Sequence, residues 1–305
     1  MKLCITFLII IISISCNKQG KFEKFDIFKL EFFKMGTDLS VKYVAKKRNI
    51  KLEKEIKEYI DQFDKENSFY KKESYLSKLN NLNDNQSLKV VHSFCKLLEI
   101  SVNYQKSTEN RFNIAYKSPK KFRNLDNLQI NCKKDIIKVI KKGTILDTGG
   151  IAKGYSIDKT AYILKKYNYK NFIINYGGDM LICGKKPNNK NWTIGIKDPF
   201  NTSKLLKIIS KNTKSCYSVA TSGDYKRYIV KNGKKYSHII NPKTGLSVED
   251  AHSVTVISDN AIKSDVLATA ISVGNKDIAY IKRMKRKFNI KIYILIGNNR
   301  KLLEY

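Results

Sequence analysis

A carboxylate and a hydroxyl four residues apart, Asp265 and Thr269, lie in the apolar segment NAIKSDVLATAISVG (260–274). On a helix that spacing turns both oxygens to one face. With backbone carbonyls added they make a hard oxygen site suited to magnesium. A solvated Asp and a Thr bonded to its own backbone would leave the same signature. His238 stands where the strand YSHII enters the turn NPKTG. An imidazole with an unperturbed pKa of roughly 6.5 accepts a proton at neutral pH, although a structural hairpin histidine looks alike. DTGGIAKGYSIDKTAYIL (147–164) places an acid, two adjacent glycines and a lysine ahead of an amphipathic run. Glycine admits a ligand close to the backbone, and the N–H groups of a helix start suit a phosphate. The stretch is neither a Walker loop nor a dinucleotide fingerprint, and a plain strand–turn–helix joint has this shape too.

These residues need elements to hold them. Leu52, Ile56, Tyr59, Ile60 and Phe63 recur at helical spacing, which predicts a helix leading into a loop near 68–73. A second helix is expected over 90–108, with His92 as a structural residue in it. Ile145–Leu146 read as a strand end, with helix from Lys153 to 168. FIINYGGDMLICG (172–184) reads as strand, Gly-Gly turn, strand. NWTIGIKDP (191–199), a hairpin over 227–240 around Asn232–Gly233, SVTVIS (253–258) and IYILIG (292–297) add strands. A helix over 261–273 has Asn260 before it and Gly274 after it. The fold class expected is α+β or α/β.

The 305 residues are 42% hydrophobic, enough for a sizeable core. The formal charge of +32 invites a nucleic-acid reading, but 52 of the 59 basic residues are Lys and only 7 are Arg, spread through every segment. Readers of bases and phosphates favour the bidentate fork of Arg, so no nucleic-acid partner is expected. MKLCITFLIIIISISC carries one early lysine, an apolar run too short to span a bilayer, and Ser15 before Cys16. It resembles a bacterial lipoprotein signal, with Ser13 where Leu is usual. The expectation is a signal peptide over 1–15, a lipidated Cys16 and polar tether over 16–33, and one domain over 34–305, anchored to a bacterial membrane on its periplasmic or extracytoplasmic side. Cys95, Cys132, Cys183 and Cys216 lack metal or redox spacing; Cys183 reads as a small buried apolar residue, and spacing does not decide on disulfides.

The motifs DTGGIAKGYSIDK, NYGGD, NWTIGIKDP, VATSGDYKRY, YSHIINPKTG and SVTVIS with SDVLATA follow one another in this order, after MGTDLSV (35–41) and SFYKKESYLSKLN (68–80). In combination they resemble the ApbE family, the FAD:protein FMN transferases, over residues 34–275. The resemblance implies an ApbE-like, T-fold-related bimodular domain of mixed sheets and packed helices. It implies a Mg2+-dependent enzyme that splits FAD, moves FMN onto a Ser or Thr hydroxyl of an acceptor protein and releases AMP. That acceptor would be an FMN-binding domain of a membrane redox complex or a secreted flavoprotein. By motif position Asp265, Thr269 and the Gly150 carbonyl match magnesium ligands. Met35, Tyr70, Asp147, Lys153 and Ile239 match flavin-nucleotide contacts, and His238 matches a histidine used in transfer. Phe112 and Asn113 are what RFNIAYKSP (111–119) retains of a further family segment, and Asn241 stands where Asp is common. A FAD pyrophosphatase and a non-catalytic flavin-binding lipoprotein are the competing readings.

Overall fold

The structure, a computed structural model, describes residues 24–201, 203–211, 215–223, 228–231, 234–237, 239–248, 251–296 and 301–305. His238, Cys16, the signal segment and the hairpin tip Asn232–Gly233 lie outside them.

The described residues open with an antiparallel hairpin, β1 (Asp26–Lys34) and β2 (Thr37–Ala45). The polar tether expected up to residue 33 therefore ends earlier. Leu30 is buried while Ile27 and Phe33 are exposed, the period of two of a strand with one covered face, and β1 lies at the end of its sheet. Next come α1 (Ile50–Asn67), α2 (Tyr75–Asn80), β3 (Ser87–Lys89) and α3 (His92–Ser107). Asn49 caps α1 by accepting from Leu52 N–H. His92 opens α3 and meets Asp135 Oδ1 at 2.8 Å, a structural contact. β4 (Leu128–Asn131) and β5 (Ile136–Val139) pair with β3 in a small sheet of their own.

Then follow α4 (Ala152–Lys166), β6 (Phe172–Tyr176), β7 (Asp179–Cys183), the hairpin β8 (Thr193–Lys197) and β9 (Leu205–Ser210), and β10 (Tyr217–Gly223). The chain continues through β11 (Tyr228–Lys231), β12 (Lys234–Ser237), β13 (Ala251–Ser258), α5 (Ala261–Val273), α6 (Ile278–Phe288), β14 (Lys291–Ile296) and β15 (Lys301–Glu304). Among the described residues no helix is long and apolar enough to cross a membrane.

One sheet organises the molecule, in the order β1-β2-β6-β7-β10-β13-β14-β15. Each neighbouring pair in it is antiparallel, which makes the fold α+β. Alternation along each strand sorts the core onto two faces. Val41, Tyr43, Phe172, Ile174, Tyr176 and Leu181 face α1 and α4. Ile182, Val219, Ile257 and Tyr293 face the β8–β9 hairpin with its Trp192 and Ile194. Val254, Val256, Ile292 and Ile294 pack on α5 and α6.

Ile145–Leu146, expected as a strand end, is not one. Its backbone bonds go to side chains instead: Leu146 N–H donates to Asn80 Oδ1 at 2.8 Å, its carbonyl accepts from Asn80 Nδ2 at 2.9 Å, and Ile145 N–H donates to Ser118 Oγ. Two disulfides join Cys95 to Cys132 and Cys183 to Cys216. Cys183 is buried as expected, but as half of a bridge clamping the β7–β10 pair.

Candidate active site

The glycine–lysine loop is explained by its contact with α5. A Cβ on Gly154 would stand 2.5 Å from the Ala261 carbonyl oxygen and 2.9 Å from Ile262 Cα. Only a hydrogen fits there, so α4 and α5 meet backbone to backbone. Gly154 N–H donates to Asp265 Oδ2 at 2.9 Å. One turn along α4, Asp158 accepts from the N–H groups of Ala261 and Ile262 at 2.9 and 3.0 Å. It caps α5 together with Asn260, whose Oδ1 accepts from Lys263 N–H. Burial pushes the Asp158 carboxyl above its ordinary value, and the two N–H groups pull it back. Gly154 and Asp158 thus fix where α5 carries its carboxylate.

Asp265 is 3% exposed and Thr269 half-buried. Thr269 Oγ1 donates to the Asp265 carbonyl and meets Ser222 Oγ, both at 3.2 Å. A Cβ on Gly150 would lie 3.4 Å from Thr269 Oγ1 and 3.3 Å from the Phe112 ring. Gly150, Phe112, Thr269 and Asp265 therefore share one locality. Lys153 joins them, with its ammonium on Asp179 and 3.7 Å from Asp265 Oδ1.

The helix start itself is less open to an anion than its sequence suggests. The N–H groups of Ile151 and Ala152 donate to the Thr148 carbonyl, and that of Gly154 is taken by Asp265. The Lys153 ammonium beside it is paired with Asp179. Asp147 is held from three sides, accepting from Gly149 N–H at 2.8 Å, the Tyr116 hydroxyl at 2.9 Å and Lys117 Nζ at 2.7 Å. Burial, with Asp147 alongside, keeps the Tyr116 hydroxyl protonated far above its ordinary value.

Tyr70 is 88% exposed, its ring edge-on to Phe69, which also carries Lys117 over its face. Met35 takes the left-handed conformation at φ 53° and donates its N–H to Asp64 Oδ1. Asn113 points inward. Its amide donates to Asn110 Oδ1 and the Arg123 carbonyl and accepts from Ala115 N–H, which accounts for its side-chain hydrogen bonds. Ile239 is buried, with its carbonyl accepting from Val248 N–H. Asn241 Oδ1 accepts from Lys243 N–H at 2.9 Å, a turn bond that Asn makes as well as Asp. The turn borders a cleft of about 470 Å³ with Val273 and Gly274, at the end of the helix that carries Thr269.

Several of these residues are not singled out by the sequence alone: Asp179, Ser222, Gly154, Asp158 and Tyr116. Asp179 and Ser222 sit in the motifs NYGGD and VATSGDYKRY, so their motifs were visible but their roles were not.

The donor set has a definite chemical character. Among the described residues no three His, Cys, Asp or Glu side chains cluster as a metal site. One carboxylate oxygen of Asp265, the Thr269 hydroxyl and the backbone at Gly150 offer oxygen only. A magnesium ion, which keeps waters and takes substrate phosphates as ligands, fits such a sparse set.

The model of the ApbE family matches residues 35–292. A relative from Haemophilus influenzae, named FAD:protein FMN transferase, is 27% identical over 316 residues, covering 92% of this chain and 88% of that one. A protein of the same name from Buchnera aphidicola is 28% identical, covering 83% and 82%. Among solved structures, the ApbE protein of Thermotoga maritima superposes with a TM-score of 0.80 at 25% identity, over 91% of this chain and 96% of that one. The flavin transferase ApbE of Vibrio cholerae gives 0.75 at 20% identity, over 92% and 97%, a likeness of fold.

Proposed function

The chain belongs to the ApbE family, and we propose from that premise that its Asp265–Thr269–Lys153 site uses magnesium to cleave FAD and attaches FMN to a Ser or Thr hydroxyl of an acceptor protein. Like its curated relatives, it is an FMN-transferring enzyme with FAD as substrate. The observation that supports the site is the meeting of Gly150, Thr269, Asp265 and Lys153 where α4 touches α5.

Asp265 Oδ1, Thr269 Oγ1 and the Gly150 carbonyl would hold the ion, which when bound neutralises charge on the pyrophosphate. Lys153 brings a second positive charge to the same place. Asp147, fixed by Tyr116 and Lys117, and the exposed Tyr70 ring serve as nucleotide contacts, with Met35, Phe112 and Ile239 lining them. The acceptor oxygen attacks the phosphorus on the FMN side. The bond from that phosphorus to the bridging oxygen breaks, and AMP leaves with the bridging oxygen. His238 takes the hydroxyl proton. Positioning and charge stabilisation carry most of such a transfer, and no enzyme nucleophile is needed.

Product analysis tests this reading. FAD, magnesium and an acceptor domain should yield AMP, and a chelator in excess over magnesium should stop it. AMP formation undiminished by the chelator would remove the metal from the reaction.

The chain acts outside the cytoplasm in this reading, held by a lipid on Cys16. Its two disulfides suit an oxidising compartment, and the short apolar run before Cys16 suits export. Cys16→Ser should release the protein from membranes or block its processing. Unchanged attachment with normal cleavage would contradict the anchor.

A further inference from the structure

We propose that Asp179 is a positioning residue that holds the Lys153 ammonium off Asp265, leaving Asp265 Oδ1 to a divalent cation. The proposal rests on the reading of Asp265 and Thr269 as ligands of that cation.

Asp179 opens β7 directly after the Gly177–Gly178 turn and is 3% exposed. A carboxylate so buried needs partners. Its Oδ1 accepts from Thr221 N–H of β10 at 3.1 Å, and its Oδ2 takes the Lys153 ammonium. The β7–β10 register places this bond, with Met180 opposite Val219. Ser222, the residue after Thr221 in β10, reaches Thr269. The strand that steadies Asp179 thus also touches the proposed ligand pair.

Lys153 has two buried carboxylates within reach and sits on one. Its distance of 3.7 Å from Asp265 Oδ1 is beyond hydrogen-bonding range. Asp265 Oδ2 is already spent on Gly154 N–H. Oδ1 is therefore the oxygen left for a cation. If Asp179 lost its charge, Asp265 would become the one buried carboxylate left beside the ammonium among the described residues, and a small side-chain rotation would close the gap. Ammonium and divalent cation would then compete for one oxygen and repel each other at close range. With Asp179 in place, the lysine stays near the site without blocking it.

The test is direct Mn2+ binding to the flavin-free protein, followed by electron paramagnetic resonance, in wild type, Asp179→Asn, Lys153→Met, the double variant and Asp265→Asn. Asn at 179 keeps an acceptor for Thr221 N–H. Asp179→Asn should weaken Mn2+ binding about tenfold or more, given a freed unit charge within about 4 Å of the ligand oxygen. Lys153→Met should bind at least as tightly as wild type. The double variant should regain most of the lost affinity, because the competitor is gone. A purely structural salt bridge would show no such rescue. Wild-type binding in a folded Asp179→Asn, or a double variant as weak as that single one, would overturn the proposal. If Asp179→Asn fails to fold, Lys153→Met decides, since a marked loss of Mn2+ there would mean the lysine is no competitor. Asp265→Asn separates the two ideas: Mn2+ binding indifferent to Asp265 would refute the ligand assignment itself.

Discussion

Asp265→Asn is expected to lower the rate of FMN transfer by roughly 100-fold or more, the scale on which removing one preorganised charge-stabilising group acts. The reason lies in how the carboxylate is divided. One oxygen is engaged by Gly154 N–H at 2.9 Å. In the variant the amide oxygen keeps that bond, because the N–H requires an acceptor. The amide nitrogen then occupies the other position, where a donor replaces an anionic acceptor. Charge and ligand are lost together, while the α4–α5 contact at Gly154 and the Asp158 cap remain. The magnesium concentration for half-maximal rate should rise strongly, and the unfolding midpoint should move far less. Steady-state rates across a magnesium titration, beside a thermal melt, check this. An unchanged magnesium requirement would place the metal elsewhere.

His238→Ala is expected to slow transfer by about 10²–10⁴-fold, the usual contribution of general-base assistance. FAD affinity should hardly change, because the proposed binding groups are Asp147, Lys153 and their neighbours. The base acts only when neutral. The wild-type rate should therefore fall as pH drops through the histidine's pKa, whose unperturbed value is roughly 6.5, and the variant should lose that limb of the profile. Single-turnover rates against pH, with FAD binding measured separately, decide the matter. Near-normal transfer with an unchanged profile would make another group the base.

Much of this is legible in the sequence itself. The α5 boundaries, the β6–Gly–Gly–β7 turn and the Asp265–Thr269 spacing are local patterns, and local patterns survive folding. What could not be read depends on residues far apart in sequence. Gly154 looks like a phosphate-loop glycine until Ala261 is seen against it. Asp158 looks like a solvated helix residue until it caps a helix more than a hundred positions away. The pairing of Asp179 with Lys153 has the same origin. The disulfides join cysteines 37 and 33 positions apart, separations that carry no spacing signal. The early start of β1 is a different case: its alternation of Phe28, Leu30 and Phe32 was present but masked by flanking lysines. Asn113 shows the converse limit, a motif residue whose side chain serves the fold of its own loop.

The most direct test of the account is the intact mass of an acceptor protein after incubation with this enzyme, FAD and magnesium. The acceptor should gain one FMN-sized increment, absent when its target Ser or Thr is replaced by Ala and absent with Asp265→Asn enzyme. FMN and AMP accumulating in solution while the acceptor keeps its original mass would contradict transfer and leave hydrolysis of FAD as the reaction.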